Sequence, residues 1–460
     1  MEIIVGNKII IKDATDEVKR YFLESLVLPN PDFHKKQRMG LWTGNTPKDI
    51  VLFEQIGRDL YLPFGCLDDV WKRWGSSVPF KRDIADLKPF NYQSRINLYP
   101  YQEKAVNEAL AKRNGVVVMP CGAGKTQTGL ELVARIGGRT LWLTHTQELF
   151  NQSMNRAKSV FDCAGYGTIT GGKVNVGTGM TFATVQTMAK IDLSEMRDIF
   201  DCVIVDECHR AIGSPTKVMQ FYKVLSALSC RFKYGLTATP KRSDGLERSM
   251  FALLGDICAK VDKLEAADTT CPVRVCTVHT NYFPNMDIAL AGDGTINYAG
   301  LVDDLTHDRE RLELVGDKVE ECAKDGATLV LANRVAYLKD MQEYVDTVRS
   351  VCLSGAGNSK SAKAERKEAL RKLNDGELDC VFATYQLAKE GLDVPNLRYV
   401  VFATPEKDST TVVQAAGRVG RKADGKKYGT VIDFEDDFGM YHGWAKMRRK
   451  YYKKLEYEEV

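Results

Sequence analysis

Eight short apolar runs recur along the chain from residue 115 onward, and they constrain its fold more than any other feature. The first four are GVVVM (115–119), TLWLTH (140–145), CVIVDE (202–207) and YGLTAT (234–239). A second series follows with TLVLAN (328–333), DCVFAT (379–384), YVVFAT (399–404) and GTVIDF (429–434). Unbroken β-branched runs separated by helical patterns are the signature of parallel strands covered by helices on both faces. Two such series predict two tandem doubly wound α/β domains, over 93–262 and 263–460, the second ending in a basic tail.

The first ninety-odd residues have another texture. Strand-like pieces (EIIVGNKIIIK, DIVLFEQIGRDLYLPFG) surround one helical stretch, DEVKRYFLESLV, with no phosphate-binding motif. This predicts a small α+β accessory domain over 1–92. With 44% hydrophobic and 27% charged residues the 460-residue chain has the composition of globular domains, and its net charge of +3 is too small to announce a nucleic-acid binder. No run approaches the roughly eighteen apolar residues of a membrane span. The twelve cysteines form no CxxC pair. Cys121, Cys202 and Cys380 sit in or beside apolar strands and read as small core residues, so a reducing cytoplasm is the expected setting.

Strand GVVVM runs directly into PCGAGKT and then into the helical TGLELVARIGG. That strand–loop–helix order is what a P-loop needs. Backbone N–H groups from Gly122 through Ala123 and Gly124 to Lys125 can surround phosphates at a helix N-terminus. Lys125 would reach the β and γ oxygens, and the Thr126 hydroxyl would bind Mg²⁺. Met119 stands where the usual first glycine would be. About eighty residues on, CVIV ends in Asp206, Glu207, Cys208 and His209. A carboxylate there can hold Mg²⁺, and Glu207 beside it can accept a proton from an attacking water.

These motifs, in this order, resemble those of the superfamily 2 helicases from about residue 98 to 434. PCGAGKT and DECH are similar to motifs I and II. LTHTQELFNQ (143–152) and FATVQTM (182–188) resemble motifs Ia and Ib, and TATP (237–240) resembles motif III. LANRVAYLKDM, ATYQLAKEGLDVP and QAAGRVGR resemble motifs IV, V and VI. The resemblance implies two RecA-like domains that clasp ATP and Mg²⁺, with Gln102 in NLYPYQEKAV reading adenine and Asp393 of motif V joining the nucleotide. Arg418 and Arg421 would be arginine fingers, and Gln414 would place the attacking water. His209 would couple motif II to motif VI.

Departures narrow the branch. DECH, TAT and Gln414-Ala415-Ala416 stand where a DEAD-box RNA helicase would differ, and TATPKRSDG (237–245) resembles the DNA-directed branch with XPB-like, restriction-translocase and phage UvsW-type members. LPNPDFHKKQRMGLWTGNTPKDIVLFEQ resembles the accessory domain of the UvsW type. The implied partner is DNA, single-stranded and branched, with little sequence preference, engaged by a monomeric motor alongside recombination or replication proteins. Strand-end hydroxyls and amides of Thr144, Thr184, Gln186 and Thr384 can bind phosphate oxygens. The resemblance adds Gln147 in motif Ia and Asn333 and Arg334 in motif IV. Lys35, Lys36 and Arg38 beside Trp42 combine phosphate contact with stacking, and the tail sets Lys446, Arg448, Arg449, Lys450, Lys453 and Lys454 among aromatic residues. Competing readings are a duplex translocase that separates no strands, an RNA helicase, and a nucleotide-gated DNA-binding module.

Overall fold

The computed structural model describes the chain except residues 121, 163–164, 212–213, 241–244, 263–264, 266–269, 291–294, 354–359 and 390–393, and the side chains of 211, 360–361, 363, 388–389 and 409–410. Asp393 therefore lies outside the described residues, as does Cys121. The chain folds as two units, Met1–Ala266 and Ala267–Val460.

Each unit holds one of the predicted parallel sheets. In the first, the strand order is Lys173–Asn175, Gly167–Thr170, Met180–Thr184, Thr140–Thr144, Cys202–Val205, Phe232–Thr237, Asn114–Val118 and Ile257–Lys260. All neighbours are parallel except the hairpin at the Lys173 edge. Successive side chains point to opposite faces: Val116, Leu143 and Val203 enter one core, while Val117, Trp142 and Ile204 enter the other. Both faces being buried is why these strands read as unbroken apolar runs.

In the second unit the order is Ser350–Cys352, Cys380–Thr384, Thr328–Ala332, Tyr399–Phe402, Gly429–Glu435, Val273–His279 and Glu458–Glu459. Every pairing is parallel. The same alternation sends Leu329 and Leu331 to one core and Val330 and Ala332 to the other.

The accessory segment carries a five-stranded sheet ordered Glu54–Ile56, Asp59–Leu62, Ile9–Lys12, Glu2–Val5 and Phe80–Arg82. A two-stranded ribbon, Val27–Pro29 with Asp49–Val51, stands apart and carries the helix Pro31–Arg38 in its connection. This segment has no separate core: Ile3, Phe22 and Leu60 share one buried cluster with Val116, Leu143 and Val203 of the first parallel sheet. Polar contacts reinforce the junction: Asn7 Nδ2 donates to the Ser226 oxygen at 2.7 Å and the Tyr222 hydroxyl to Glu54 at 3.2 Å. Lys233, fully buried, donates to the carbonyls of Leu225 at 2.7 Å and Leu228 at 2.8 Å, and its ammonium lies 4.8 Å from the Phe64 ring centre. Burial pulls its pKa down to about 8, while the two carbonyls and the ring favour the charged form.

Gly65 marks the closest approach. A Cβ there would sit 2.5 Å from the Ala252 oxygen, the Gly255 nitrogen and the Phe251 oxygen. All three are backbone atoms at the end of helix Glu247–Leu254, which cannot yield as a flexible side chain would. Gly65→Ala is expected to cost about 1–3 kcal/mol by overpacking. Thermal unfolding should then show a Tm lower by roughly 3–10 °C; an unchanged Tm would mean that the junction is loose.

Candidate active site and nucleic-acid face

Strand Asn114–Val118 lies between Phe232–Thr237 and Ile257–Lys260, and its loop opens at the carboxyl edge of the sheet, before helix Lys125–Ile136. Open α/β sheets bind ligands at that edge. Gly122 has φ +86° and Gly124 φ +79°, left-handed values that suit glycine. A Cβ on Gly124 would also lie 2.3 Å from Nε2 of Gln102. Gln102 is 2% exposed; its Nε2 donates to the Ala123 oxygen at 2.9 Å, and its Oε1 accepts from the Tyr99 amide at 3.0 Å. It braces the phosphate loop from beneath, and only its second amide hydrogen is left for a base.

Asp206 and Glu207 follow strand Cys202–Val205 at the same edge. Asp206 is buried, accepting from the Ser153 hydroxyl at 3.1 Å on Oδ2 and from the Glu207 amide at 3.0 Å on Oδ1. Burial first, and then the neighbouring Glu207 charge, push its pKa up to about 6; the Lys125 ammonium opposes both. A cation at this carboxylate would supply the charge that its surroundings lack. Glu207 has φ +48°, a left-handed conformation rare outside glycine. Its Oε1 lies 3.8 Å from Lys125 Nζ and its Oε2 3.3 Å from His209 Nδ1. The same His209 nitrogen is 2.9 Å from the Thr237 hydroxyl, which also accepts from the Thr239 amide at 3.1 Å. The His209 bond seen in this unit thus joins motif II to motif III.

Several predicted nucleic-acid contacts take a different place. Thr144 is 1% exposed and its hydroxyl donates to the Thr146 oxygen at 3.2 Å, so a phosphate contact through that side chain does not fit. Gln186 donates to the His145 oxygen at 2.8 Å and braces motif Ia, and the Thr184 hydroxyl pairs with that of Thr187 at 2.9 Å. Gln147 is exposed, accepting from Thr170 at 2.5 Å. In the second unit Thr384 is half-buried at its strand end, while Asn333 and Arg334 are exposed after strand Thr328–Ala332, with Arg334 Nε 3.0 Å from Asp303. In the connection of the accessory ribbon Lys35, Arg38 and Trp42 are exposed, Trp42 at 77%; Lys36 is bound to the Thr46 hydroxyl at 2.7 Å.

Motif VI lies on helix Ser409–Val419 of the second unit. Gln414 and Arg418 share a half-exposed face one turn apart while Ala415, Ala416 and Val419 are buried. Arg421 follows the helix, and its carbonyl accepts from Lys426 Nζ at 2.8 Å. The basic tail forms helix Gly439–Lys454, and here the expected patch loses two of its six cations. Arg448 is buried on Asp433 at 2.8 Å and Arg449 pairs with Glu435 at 2.5 Å, so both are structural and only Lys446, Lys450, Lys453 and Lys454 stay exposed.

The comparisons with known proteins follow the same division. The family model described as type III restriction enzyme, res subunit, matches residues 95–242, and the helicase conserved C-terminal domain matches 310–423. The chain belongs to the superfamily 2 helicases. The uvsW ATP-dependent DNA helicase of Enterobacteria phage T4 is 22% identical over 91% of this helicase and 86% of its own length. A putative ATP-dependent RNA helicase of Acanthamoeba polyphaga mimivirus is 23% identical over 87% of this chain and 77% of its own. A solved DNA-bound structure of the restriction-modification enzyme LlaBIII shares the fold with a TM-score of 0.57 at 17% identity, covering 85% of this helicase and 32% of that chain.

The helicase family uses ATP, with Mg²⁺ as the usual metal. Among the described residues no group of three or more His, Cys, Asp and Glu side chains could hold a metal. Mg²⁺ would instead be held by the Thr126 hydroxyl and Asp206, with phosphates and water completing its shell. Sequence reasoning missed Ser153, a mid-helix serine that nothing in the linear pattern distinguishes. Replacing Glu207 with Gln should preserve nucleotide binding and slow hydrolysis by about 10²–10⁴. Single-turnover hydrolysis measures this directly, and a rate within tenfold of the parent would remove Glu207 from proton transfer.

Proposed function

We propose that this chain is an ATP-dependent DNA helicase that translocates on DNA and remodels branched structures during replication, recombination or repair. The observation that carries the reading is the Lys125–Glu207–Asp206 arrangement: an ammonium, a carboxylate in a left-handed turn and a buried carboxylate at one phosphate loop. Lys125 and the loop amides bind the phosphates, and Thr126 with Asp206 would hold Mg²⁺, which would supply positive charge to the phosphates. Water attacks the γ-phosphorus as the bond to the ADP oxygen breaks, and Glu207 takes the water proton. Gln414 orients that water, and Arg418 and Arg421 neutralise the transition-state charge. Supplying these from the second unit would make hydrolysis depend on closure, so that each turnover becomes a step along a strand.

Three features favour DNA. The DECH and TAT motifs depart from the DEAD-box pattern; the T4 uvsW relative is matched over 91% of the chain, which reaches beyond the motor into the accessory segment; and the accessory segment exposes Lys35, Arg38 and Trp42. The mimivirus relative, named as an RNA helicase, supports the second reading.

The test is the ATP hydrolysis rate with no nucleic acid, single-stranded DNA, a four-way DNA junction, and single-stranded RNA. Stimulation by the junction above the single strand is the expected result. Stimulation by RNA alone would transfer the motor to RNA.

A further inference from the structure

Motifs V and VI of the second unit each end at a carbonyl that the same side chain reaches. Pro395 closes ATYQLAKEGLDVP and Arg421 closes QAAGRVGR. Lys426 Nζ donates to the Arg421 oxygen at 2.8 Å and to the Pro395 oxygen at 3.3 Å. Neither motif contains this lysine, which in the sequence is one cation of the run RKADGKK.

We propose that Lys426 is a positioning residue for ATP hydrolysis, a clamp that fixes the backbone of Arg421 against the end of motif V; the proposal rests on the reading of Arg421 as an arginine finger. A local turn brings the side chain back. The Lys426 amide donates to the Ala423 oxygen at 3.1 Å, and Gly425, third in that turn, has φ +75°. A type II turn needs a positive φ at this place, and glycine supplies it without strain. The other anchor is held as well. The Leu397 amide donates to the Val394 oxygen at 3.2 Å, so Pro395 lies within a turn, and Asn396 Nδ2 ties that turn to the Asn374 oxygen at 2.7 Å.

Arg421 needs such a clamp more than Arg418 does. Arg418 stands in the last turn of helix Ser409–Val419, where the helix sets its backbone. Arg421 lies beyond the helix end, and its amide reaches the Arg418 oxygen at a long 3.4 Å. The Cys271 amide holds the Gly420 oxygen at 2.9 Å, and the Cys271 thiol faces the Val419 oxygen at 3.2 Å and the Arg421 oxygen at 3.5 Å. A thiol is a weak donor. Of the two donors at the Arg421 carbonyl, the ammonium is therefore the strong one. A catalytic group displaced by about 1 Å can lose about 10²-fold in rate.

The ammonium lines an open cavity of about 440 Å³ at the amino edge of the sheet. Carboxylates around that cavity are engaged elsewhere: Asp325 meets Arg398 at 3.3 Å, Asp375 meets Arg371 at 2.7 Å, and Asp379 meets Arg349 at 2.5 Å, while Asp424 is exposed. Burial first, and then the Arg421 and Arg398 charges, pull the Lys426 pKa down to about 8, with the Cys271 sulfur opposing. The charged clamp is thus intact below about pH 8 and lost as pH rises through it. A charge-assisted bond is roughly twice as strong as a neutral one, so deprotonation loosens the grip on both carbonyls.

The experiment measures steady-state ATP hydrolysis by the full chain, with and without single-stranded DNA, for the parent, Lys426→Met, Lys426→Arg, Arg421→Ala and the double variant Lys426→Met/Arg421→Ala. Lys426→Met should lower kcat by about 10–10²-fold and leave the KM for ATP unchanged. Lys426→Arg keeps a charged donor, and the cavity has room for the longer side chain, so it should recover most of the loss. The double variant should be no slower than Arg421→Ala, because both changes disable one group. The parent kcat should decline as pH rises through about 8, whereas the Lys426→Arg profile should stay level there. A parent rate in Lys426→Met would overturn the proposal, as would no recovery with Lys426→Arg or a further fall in the double variant. If Lys426→Met lowers the Tm, the two pH profiles decide, and identical profiles would overturn the clamp. Arg421→Ala at the parent rate removes the finger, and the clamp with it. A slow Arg421→Ala beside a fast Lys426→Met removes the clamp alone.

Discussion

A parallel sheet covered on both faces leaves its strand ends as the place where polar chemistry can meet solvent, and that constraint orders both units. Val116, Val117 and Val118 alternate between two buried cores, so the first exposed group after this strand belongs to its loop. Right-handed crossovers return each strand in the same direction, which collects the loops at one edge. Lys125, Asp206 and Thr237 meet for this reason although more than a hundred residues separate the first from the last. The same rule in the second unit gathers Asn333, Thr384 and the residues that follow His279.

Strand ends that carry buried charge need local compensation. Strand Gly429–Glu435 closes with Asp433 and Glu435 and is followed by Asp436, all at most 5% exposed. Arg311 meets Asp436 at 2.6 Å and also donates to the Tyr337 hydroxyl and the Ala403 oxygen. Arg448 meets Asp433, which accepts from the Tyr452 hydroxyl as well, at 3.0 Å. Such pairs add little net stability over an apolar replacement, but removing one partner strands the other and costs about 3–5 kcal/mol. Their effect is positional: helix Gly439–Lys454 and helix Arg309–Asp325 are each pinned to one strand end. The Arg311 lock also fixes the chain just after strand Val273–His279, since Thr280 shares Asp436.

What could be read from the residues was what depends on near neighbours. Runs such as GVVVM and TLVLAN became strands because burial on both faces leaves no other pattern, and PCGAGKT became a loop before a helix because its glycines adopt left-handed φ. Contacts between distant segments were invisible. Arg448 and Arg449 looked like part of a basic patch because Asp433 and Glu435 belong to another element, and the fit of Gly65 against Phe251 and Ala252 depends on segments nearly two hundred residues apart. Thr144 and Gln186 sit at the strand ends where phosphate contacts were expected, but their polar atoms close the turns themselves. The short strand Gly167–Thr170 and the edge strand Ser350–Cys352 went unpredicted since neither carries a continuous apolar run.

The four residues of DECH show how one backbone choice distributes chemistry. Asp206 ends its strand in the buried interior, under the Ser153 hydroxyl. Glu207, at φ +48°, reverses the chain at a cost of order 1 kcal/mol, offset by the bond from its amide to Asp206 at 3.0 Å. The reversal sends Cys208 back into the core. There it packs beside Gly235, where a Cβ would lie 2.8 Å from the cysteine sulfur and would push the turn away from the sheet. His209 then reaches Thr237 on that same neighbouring strand. With an ordinary φ at Glu207, the carboxylate would lose its place between Lys125 and His209. The strain is therefore what allows a single turn to hold a metal-ready carboxylate, a proton acceptor, a core anchor and a link to motif III within four consecutive residues.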